Sequence, residues 1–485
     1  MHEDFEACYR AMTSRDARFD GRFFTGVTTT GIYCRPVCPA QTPRRANVRF
    51  YVSAAAAEAA GFRACRRCRP QLAPSAPSGD RLADRALELL AAGAADGRAG
   101  ISTVARRLSV SERHLHRVLR GAVGAGPLTL ARMRRLQTAR TLIEQTGMPI
   151  TEVALCSGYS SLRQFNSEVR AGIGSTPTEL RSRRRTRLDG DGAIVLRLGV
   201  RPPFDGATLL RFFAARAVAG VERREAGRLT RSLSLRHGAA VVELEPQPAH
   251  LVARLWLDDV RDLAAAADAC RRLFDVDADP LAIAAVLSGD PLLAPLVGAA
   301  PGLRVPGAAS GEEIAIRAVL GQQVSVRRAT SLAALLADRL GTRLAQPRGG
   351  VDRLFPAAAT IVDADLSGLR LTREREATLR RLCAALAAGD VDLGPGADAA
   401  TAAHDLQAIR GIGPWTAAYT TMRGLRDPDA FPAGDLGLRR AHAVAGGGDG
   451  PALAGRSERW RPWRAYAAMH LWHTLSHPAT TETTP

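Results

Sequence analysis

Four cysteines and one glycine-rich turn hold the side chains best able to do chemistry. Cys34-x3-Cys38 and Cys65-x2-Cys68 form two close pairs, 26 residues apart. Soft thiolates at such spacing close a tetrahedral zinc site. Four cysteines leave no open coordination position, and the plain use of such a site is to fold a small domain. Zinc also keeps a sulfur ionised near neutral pH, and a thiolate is a nucleophile. The second set lies at 406–435, LQAIRGIGPWTAAYTTMRGLRDPDAFPAGD. Gly411-Ile412-Gly413-Pro414-Trp415 reads as a turn between two helices that aims backbone N–H groups outward, a seat for a phosphate. Gly411 and Gly413 allow close backbone approach and positive φ, and Pro414 suits the first turn of the second helix. One carboxylate, Asp435, follows in a Pro/Gly loop, beside whatever nucleotide the turn holds. Taken alone, these residues also fit a plain helical hairpin with an aspartate at a helix N-cap. Against that stands the crowding of Trp415, Tyr419, Trp460, Trp463, Tyr466 and Trp472 into one end of a chain only 5% aromatic.

The chain around these sets is long and basic. Its 485 residues call for three or four domains. Net charge is +18, and all 66 basic residues are arginine. A GC-rich genome explains arginine in place of lysine but not the excess over acids, which suits phosphate contacts. No apolar run reaches membrane-spanning length, and the N-terminus lacks a signal-peptide pattern. Eight cysteines, four of them clustered, point to metal binding in a reducing compartment rather than to disulfides. Cys8, Cys156, Cys270 and Cys383 are isolated and read as plain core or surface thiols.

The elements that position these groups follow from periodicity. A Pro/Ser linker (73–80) precedes a helix at RLADRALELLAAG. Ile101, Val104, Ala105 and Leu108 make one apolar face, Ser109-Val110-Ser111 a turn, and Ser111–Leu119 a second helix with Ser111 as N-cap. The plan repeats with Ile150, Val153 and Ala154, the turn Gly158-Tyr159-Ser160, and a helix over Ser161–Val169; a helix from about Leu128 to Gln145 joins the two. Segments 193–200, 229–235, 239–245 and 249–257 read as strands and 206–219 and 259–274 as helices. From Asp279 onward the pattern is helical to the end.

Three resemblances emerge from these motifs. TTTGIYCRPVCP (28–39), NVRFY (47–51) and EAAGFRACRRCRP (58–70) resemble the zinc domain of the Ada methylphosphotriester-repair proteins. The resemblance implies zinc on Cys34, Cys38, Cys65 and Cys68, with Cys34 also the methyl acceptor. GYSSLRQF and STPTELR resemble the AraC-type DNA-binding domain. Its recognition helices offer Arg113, His114, His116 and Arg117, then Ser161, Arg163, Gln164, Asn166 and Arg170, and Arg, Asn and Gln read base edges in the major groove. A helical spacer with a solvated basic face is the bland alternative, and RSRRRTR (181–187) reads as a solvated linker. GQQVSV (321–326), GIGPWTAAY (411–419), FPAGDLGLRR (431–440) and WRPWRAYAAMHLW (460–472) resemble the AlkA-like helix-hairpin-helix DNA glycosylases, the 3-methyladenine glycosylase II branch. That resemblance implies Asp435 as catalytic carboxylate, Trp415, Tyr419 and Trp472 as base pocket, and Gln322 near pocket and DNA. It also implies a phosphate seat at 409–413, around Gly411 and Gly413, with a monovalent cation as an optional companion.

The expected protein is therefore a multidomain α+β chain. A four-cysteine zinc domain occupies 1–75 and an all-α double helix-turn-helix 80–187. A small antiparallel α+β subdomain occupies 190–278, and an all-α helix-hairpin-helix glycosylase core 279–485. Its expected activity is hydrolysis of the glycosidic bond of alkylated bases of the 3-methyladenine and 7-methylguanine type. Phosphotriester demethylation and promoter activation accompany it. With no lysine for a Schiff base, excision leaves an intact abasic site. No cysteine follows Cys383 to build an iron–sulfur cluster, and the Pro-Cys-His-Arg acceptor motif of O6-alkylguanine transferases is absent. Expected partners are double-stranded, alkylated and promoter DNA and RNA polymerase, with no membrane; the expected location is the cytoplasm, on the nucleoid. Two rivals remain: a damage-responsive transcription factor that binds without excising, and a glycosylase targeted by inert modules with Cys34 purely structural.

Overall fold

The computed structural model describes residues 2–68, 70, 73, 80–95, 100–182, 192–448 and 450–476. Most of the Pro/Ser linker and of the basic run at 181–187 lies outside them. The chain divides into two compact units, Met1–Arg201 with Leu233–Asp268, and Pro202–Ser232 with Ala269–Pro485.

In the first unit a four-stranded sheet brings the cysteine pairs together. Phe24–Val27 pairs antiparallel with Val48–Tyr51 on one side and with Ile32–Cys34 on the other. The short strand Arg63–Ala64 then adds parallel to Ile32–Cys34, with Ile32 opposite Arg63 and Tyr33 opposite Ala64. This register delivers Cys34 and Cys65 to the same end of the sheet. Phe24, Tyr33 and Ala57 fill the core beneath.

The helix-turn-helix repeat follows the expected plan, with longer reading helices. Helix Gly100–Arg107 leads to Glu112–Val123, and helix Ile150–Cys156 leads to Leu162–Ile173. Ser111 and Ser161 cap the second helix of each pair, accepting from His114 N and Gln164 N. Each of these helices runs four residues past its expected end and stops at a glycine, Gly124 or Gly174, in the left-handed region. The turns also match, for Ser109 and Gly158 both take positive φ. Helix Pro127–Gln145 joins the two halves. Strands Ile194–Gly199, His250–Leu257 and Ala239–Gln247 lie side by side, all antiparallel.

In the second unit Glu222–Glu225 and Arg228–Ser234 form an antiparallel hairpin. Glu222–Glu225 escaped the sequence reading because Glu-Arg-Arg-Glu carries no apolar alternation. The helix expected over 206–219 ends at Ala214. Beyond it the buried guanidinium of Arg317 holds the Arg216 carbonyl at 2.6 Å, and the chain turns. A buried quartet fixes that guanidinium. Arg317 reaches Glu222 at 2.8 Å and Glu313 at 3.0 Å, and Arg231 reaches Glu222 at 3.2 Å and Glu313 at 2.7 Å. The rest is not helical throughout, as 343–353 forms a hairpin of Arg343–Arg348 and Val351–Arg353. Two apolar cores share the remaining helices. One gathers Ile316, Val319, Leu336, Leu379 and Leu406, the other Leu287, Leu438, Trp460, Ala467 and Leu471. Helix Pro414–Gly424 serves both, giving Ala417 to the first and Met422 to the second.

Candidate functional site

The four cysteine sulfurs lie within 4.8 Å of one another. Cys38 and Cys65 Sγ stand 3.9 Å apart, close to the ~3.8 Å edge of a tetrahedron with Zn–S bonds of about 2.3 Å. The Cys34 thiol is pushed up by sharing its proton with Cys38, Cys65 and Cys68 and by burial. Four thiolates so close need a cation, and the donor set fits Zn²⁺. Cys34 is half-buried while the other three are buried, and a cavity of about 470 Å³ opens beside it, lined also by Thr25, Thr30, Arg63 and Arg67. Arg35 stiffens this wall. Its N–H donates to Cys68 Sγ at 3.4 Å, and its guanidinium pairs closely with buried Asp20.

The candidate reading residues face solvent. Arg113 and Arg117 are exposed on the side of helix Glu112–Val123 opposite buried Leu115, Leu119 and Val123; Arg163, Gln164 and Asn166 are exposed opposite buried Phe165, Val169 and Ile173. Arg117 bonds His114 Nδ1 at 2.8 Å, and Gln164 donates to Glu168 at 3.1 Å.

In the second unit, helix Ala399–Ala408 turns through 409–413 into helix Pro414–Gly424, with Pro414 in its first turn. Gly411 has φ 97°, and a Cβ there would stand 2.0 Å from Thr378 Oγ1. Gly413 departs from the expectation of positive φ. It is extended at φ −92°, and a Cβ would meet open space. Gly411 is thus required by the fold, whereas Gly413 is not. We predict that Gly411→Ala lowers the melting temperature, since forcing a side chain into this conformation costs about 1–3 kcal/mol. Gly413→Ala leaves melting unchanged but weakens DNA binding; thermal scans and duplex titrations of both variants check this.

Gln322 holds the turn rather than the pocket wall. Its amide donates to Gly411 O at 3.0 Å and Thr416 Oγ1 at 3.1 Å. Arg381 Nη2 occupies the Arg410 carbonyl at 2.9 Å, so two carbonyls of the turn already accept from side chains.

Asp435 receives three N–H donors. Trp415 Nε1 reaches Oδ2 at 2.8 Å, Trp472 Nε1 reaches Oδ1 at 2.9 Å, and Leu438 N reaches Oδ1 at 2.8 Å. Asp435 caps helix Leu436–Val444 and also lines a pocket. An acceptor-only carboxylate suits three donors. Gly437 leaves room for this arrangement; a Cβ there would lie 2.9 Å from Asp435 Oδ1. The pocket, about 730 Å³, is walled by Phe212, Trp415, Tyr419, Met469 and Trp472. Trp415 and Tyr419 stack with centroids 5.2 Å apart and planes 9° apart. Trp460 and Tyr466 belong to the core instead, bonded to Asp290 and Asp275.

The sequence reading missed Phe212, Arg216 and Arg423. Arg216 lies 3.9 Å over the Phe212 ring, and Arg423 lies 4.8 Å over it and 5.3 Å over Tyr419. Arg423 Nη1 also donates to the Tyr419 hydroxyl at 2.7 Å. Burial opposes ionisation of that phenol, yet Arg423 and Arg216 outweigh it and hold it below its usual range. Phe212 stands some two hundred residues before Trp415, and no local pattern links them.

Buried His470 lies two residues before Trp472. Burial first, and His473 second, hold its imidazole down at about 4. Its unfolded value is about 6.5, so the unfolded chain takes the proton first. Stability is therefore full above pH 6.5 and falls as pH drops towards 4, by about 3 kcal/mol over that window. Urea titrations at several pH values should show this slope, and His470→Gln should flatten it.

A four-thiolate centre, paired helix-turn-helices and an aromatic pocket beside a helix-hairpin-helix turn are the make-up of a DNA repair protein that also regulates. Comparison with known proteins agrees. Residues 7–71 match the metal binding domain of Ada, 104–183 a helix-turn-helix domain and 195–310 the AlkA N-terminal domain. The "Probable bifunctional transcriptional activator/DNA repair enzyme AlkA" of Mycobacterium tuberculosis (strain CDC 1551 / Oshkosh) is 47% identical, covering 99% of this chain and 98% of its own. The chain belongs to that family of bifunctional transcriptional activator/DNA repair enzymes. DNA-3-methyladenine glycosylase 2 of Escherichia coli K12 is 34% identical over 57% of this chain and 96% of its own. Among solved structures, the 3-methyladenine DNA-glycosylase from Archaeoglobus fulgidus shares the fold, with a TM-score of 0.51 at 21% identity, over 59% of this chain and 99% of that one. The four cysteines bind one Zn²⁺. No helix among the described residues is long and apolar enough to cross a membrane.

Proposed function

We propose that the chain excises alkylated bases at Asp435, removes methyl groups from phosphotriesters at Cys34, and activates repair promoters once Cys34 is methylated. The observation that carries excision is the carboxylate of Asp435, fixed by two indole N–H groups in the wall of an aromatic pocket. Base excision needs the nucleotide out of the stack. The turn at 409–413 seats a phosphate, and the flipped base enters the pocket lined by Trp415, Tyr419 and Trp472. As the C1′–N bond breaks, its electron pair leaves with the base and cancels the alkyl-induced charge. The sugar becomes an oxocarbenium ion, which Asp435 stabilises; Asp435 also orients the water whose oxygen adds to C1′ and takes up its proton. Arg216 and Arg423 already cover ring faces, so the pocket does not select on positive charge alone.

At the zinc domain the Cys34 sulfur attacks the methyl carbon of a neutral phosphotriester. The S–C bond forms as the C–O bond breaks, and the electron pair stays on the phosphate oxygen. Zinc, held by the four cysteines, keeps that sulfur ionised at neutral pH. The thioether is stable, so each chain reacts once. With Zn²⁺ bound, methylating Cys34 would take the four-cysteine centre from a formal charge of about −2 to about −1 and would lessen its repulsion from DNA phosphates. Arg113 and Arg117, then Arg163, Gln164 and Asn166, read the promoter, and RNA polymerase is the partner. The modules span 1–75, 80–187, 190–278 and 279–485, and the protein works in the cytoplasm on the nucleoid.

The test is a duplex with one 3-methyladenine, incubated with full-length protein. Free base and a strand that breaks only on heating in alkali are expected. Binding without base release would leave a damage-responsive transcription factor.

A further inference from the structure

Both reading helices end against the zinc domain, at equivalent points of the repeat. Helix Glu112–Val123 stops at Gly124, φ 72°, and helix Leu162–Ile173 stops at Gly174, φ 71°. The last carbonyls of a helix lack internal donors and carry the negative end of its dipole. At the first helix, Ser53 Oγ donates to Val123 O at 2.5 Å. Ser53 is itself the N-cap of the zinc-domain helix Ala54–Ala59. A Cβ on Gly124 would lie 2.7 Å from the Ala56 Cβ. At the second helix, the Arg66 guanidinium spans three acceptors: Ile173 O at 3.0 Å, Gly174 O at 2.7 Å and Ser175 Oγ at 2.6 Å. The Arg63 side chain lies across Gly174, where no Cβ would fit. Arg66 stands between Cys65 and Cys68, so its backbone is anchored on both sides by zinc ligands.

We propose that the zinc domain is a clamp that sets the spacing of the two reading helices, and that Arg66 is the positioning residue linking the metal centre to the second. The linkage half rests on the reading that Cys34 methylation strengthens DNA binding. Two reading helices on one duplex must meet major grooves one helical turn apart, and small rotations of either spoil the fit. Helix Pro127–Gln145 joins the pairs and packs on both reading helices, with Leu136 against Gly172, while the zinc domain adds hydrogen bonds to the last carbonyls of both. The charge lost at Cys34 counts only where the clamp seats the cluster against the phosphates, so a second helix freed at Arg66 forfeits most of that gain. Arg66 Nη2 alone meets these three acceptors, and Nε adds a second bond to Ile173 O at 3.2 Å; a lysine at 66 has one nitrogen and would lose that second bond.

The test uses zinc-loaded full-length protein, before and after complete Cys34 methylation verified by mass. Its probe is duplexes enriched from a random pool on the wild type. Hydroxyl-radical footprints and affinities are compared for wild type, Arg66→Ala, Arg66→Lys and Ser53→Ala, with one zinc per chain confirmed in each. The wild type should protect two patches one turn apart. Arg66→Ala should keep the first patch, lose the second, bind on the order of tenfold more weakly, and lose most of the gain on methylation. Arg66→Lys should fall between, and Ser53→Ala should weaken the first patch instead. Two intact patches in Arg66→Ala would overturn the clamp; a full methylation gain in that variant would overturn the link. Should the wild type itself gain nothing on methylation, the switch reading fails and the link with it, while the footprints still decide the clamp.

Discussion

Asp435→Asn should reduce single-turnover excision of 3-methyladenine by about 10²–10³-fold, the range for losing a group aimed at developing transition-state charge. Two features make this a clean substitution. Asparagine keeps an oxygen for the Leu438 N–H, so helix Leu436–Val444 remains capped. It cannot, however, accept from both Trp415 and Trp472 through two oxygens, and it brings no charge to the oxocarbenium ion. DNA affinity should change little, because the phosphate seat at 409–413 is untouched. The check is base release at saturating protein, with duplex affinity recorded on the same preparations.

Cys34→Ser should abolish methyl uptake altogether. Among the four ligands Cys34 alone is only half-buried, and it adjoins the cavity that a phosphotriester can enter. Cys38, Cys65 and Cys68 are buried, and the sheet register that brings Cys34 beside Cys65 does not depend on the sulfur. Serine is a weaker ligand, so zinc should bind less tightly, yet base release in the second unit should proceed as before. Mass spectrometry after exposure to a methyl-phosphotriester duplex should find one methyl on the Cys34 peptide of the wild type and none on the variant. No methyl on the wild type would reduce the zinc domain to a structural module.

Much of this was legible in the sequence because the chemistry is local. The cysteine spacing, the Gly411–Trp415 turn and the serine caps each sit within a few residues, where spacing constrains geometry directly. Legibility failed where contacts are distant. Phe212, Arg216 and Arg423 meet only after helix Gly206–Ala214 reaches helix Pro414–Gly424, and nothing local in either segment announces the other. The strand Glu222–Glu225 shows no pattern because Glu222 is buried by pairing with Arg231 and Arg317, not by being apolar. Gln322 lies in the neighbourhood the sequence indicates, and its amide bonds Gly411 O and Thr416 Oγ1, partners that no local pattern announces. For Asp435 the helix-cap reading and a place in the pocket wall are compatible, because one carboxylate has room for a cap and two indoles.

The measurement that bears most directly on Asp435 compares two duplexes at one salt concentration. One carries a cationic pyrrolidine in place of the damaged nucleoside, the other a neutral tetrahydrofuran. The charged ring mimics the oxocarbenium ion, and transition-state mimics bind at least ~10²-fold more tightly than ground-state ligands. The wild type should favour the pyrrolidine duplex by about that factor, and Asp435→Asn should lose the preference. Equal affinity of the wild type for both duplexes would contradict the role assigned to Asp435.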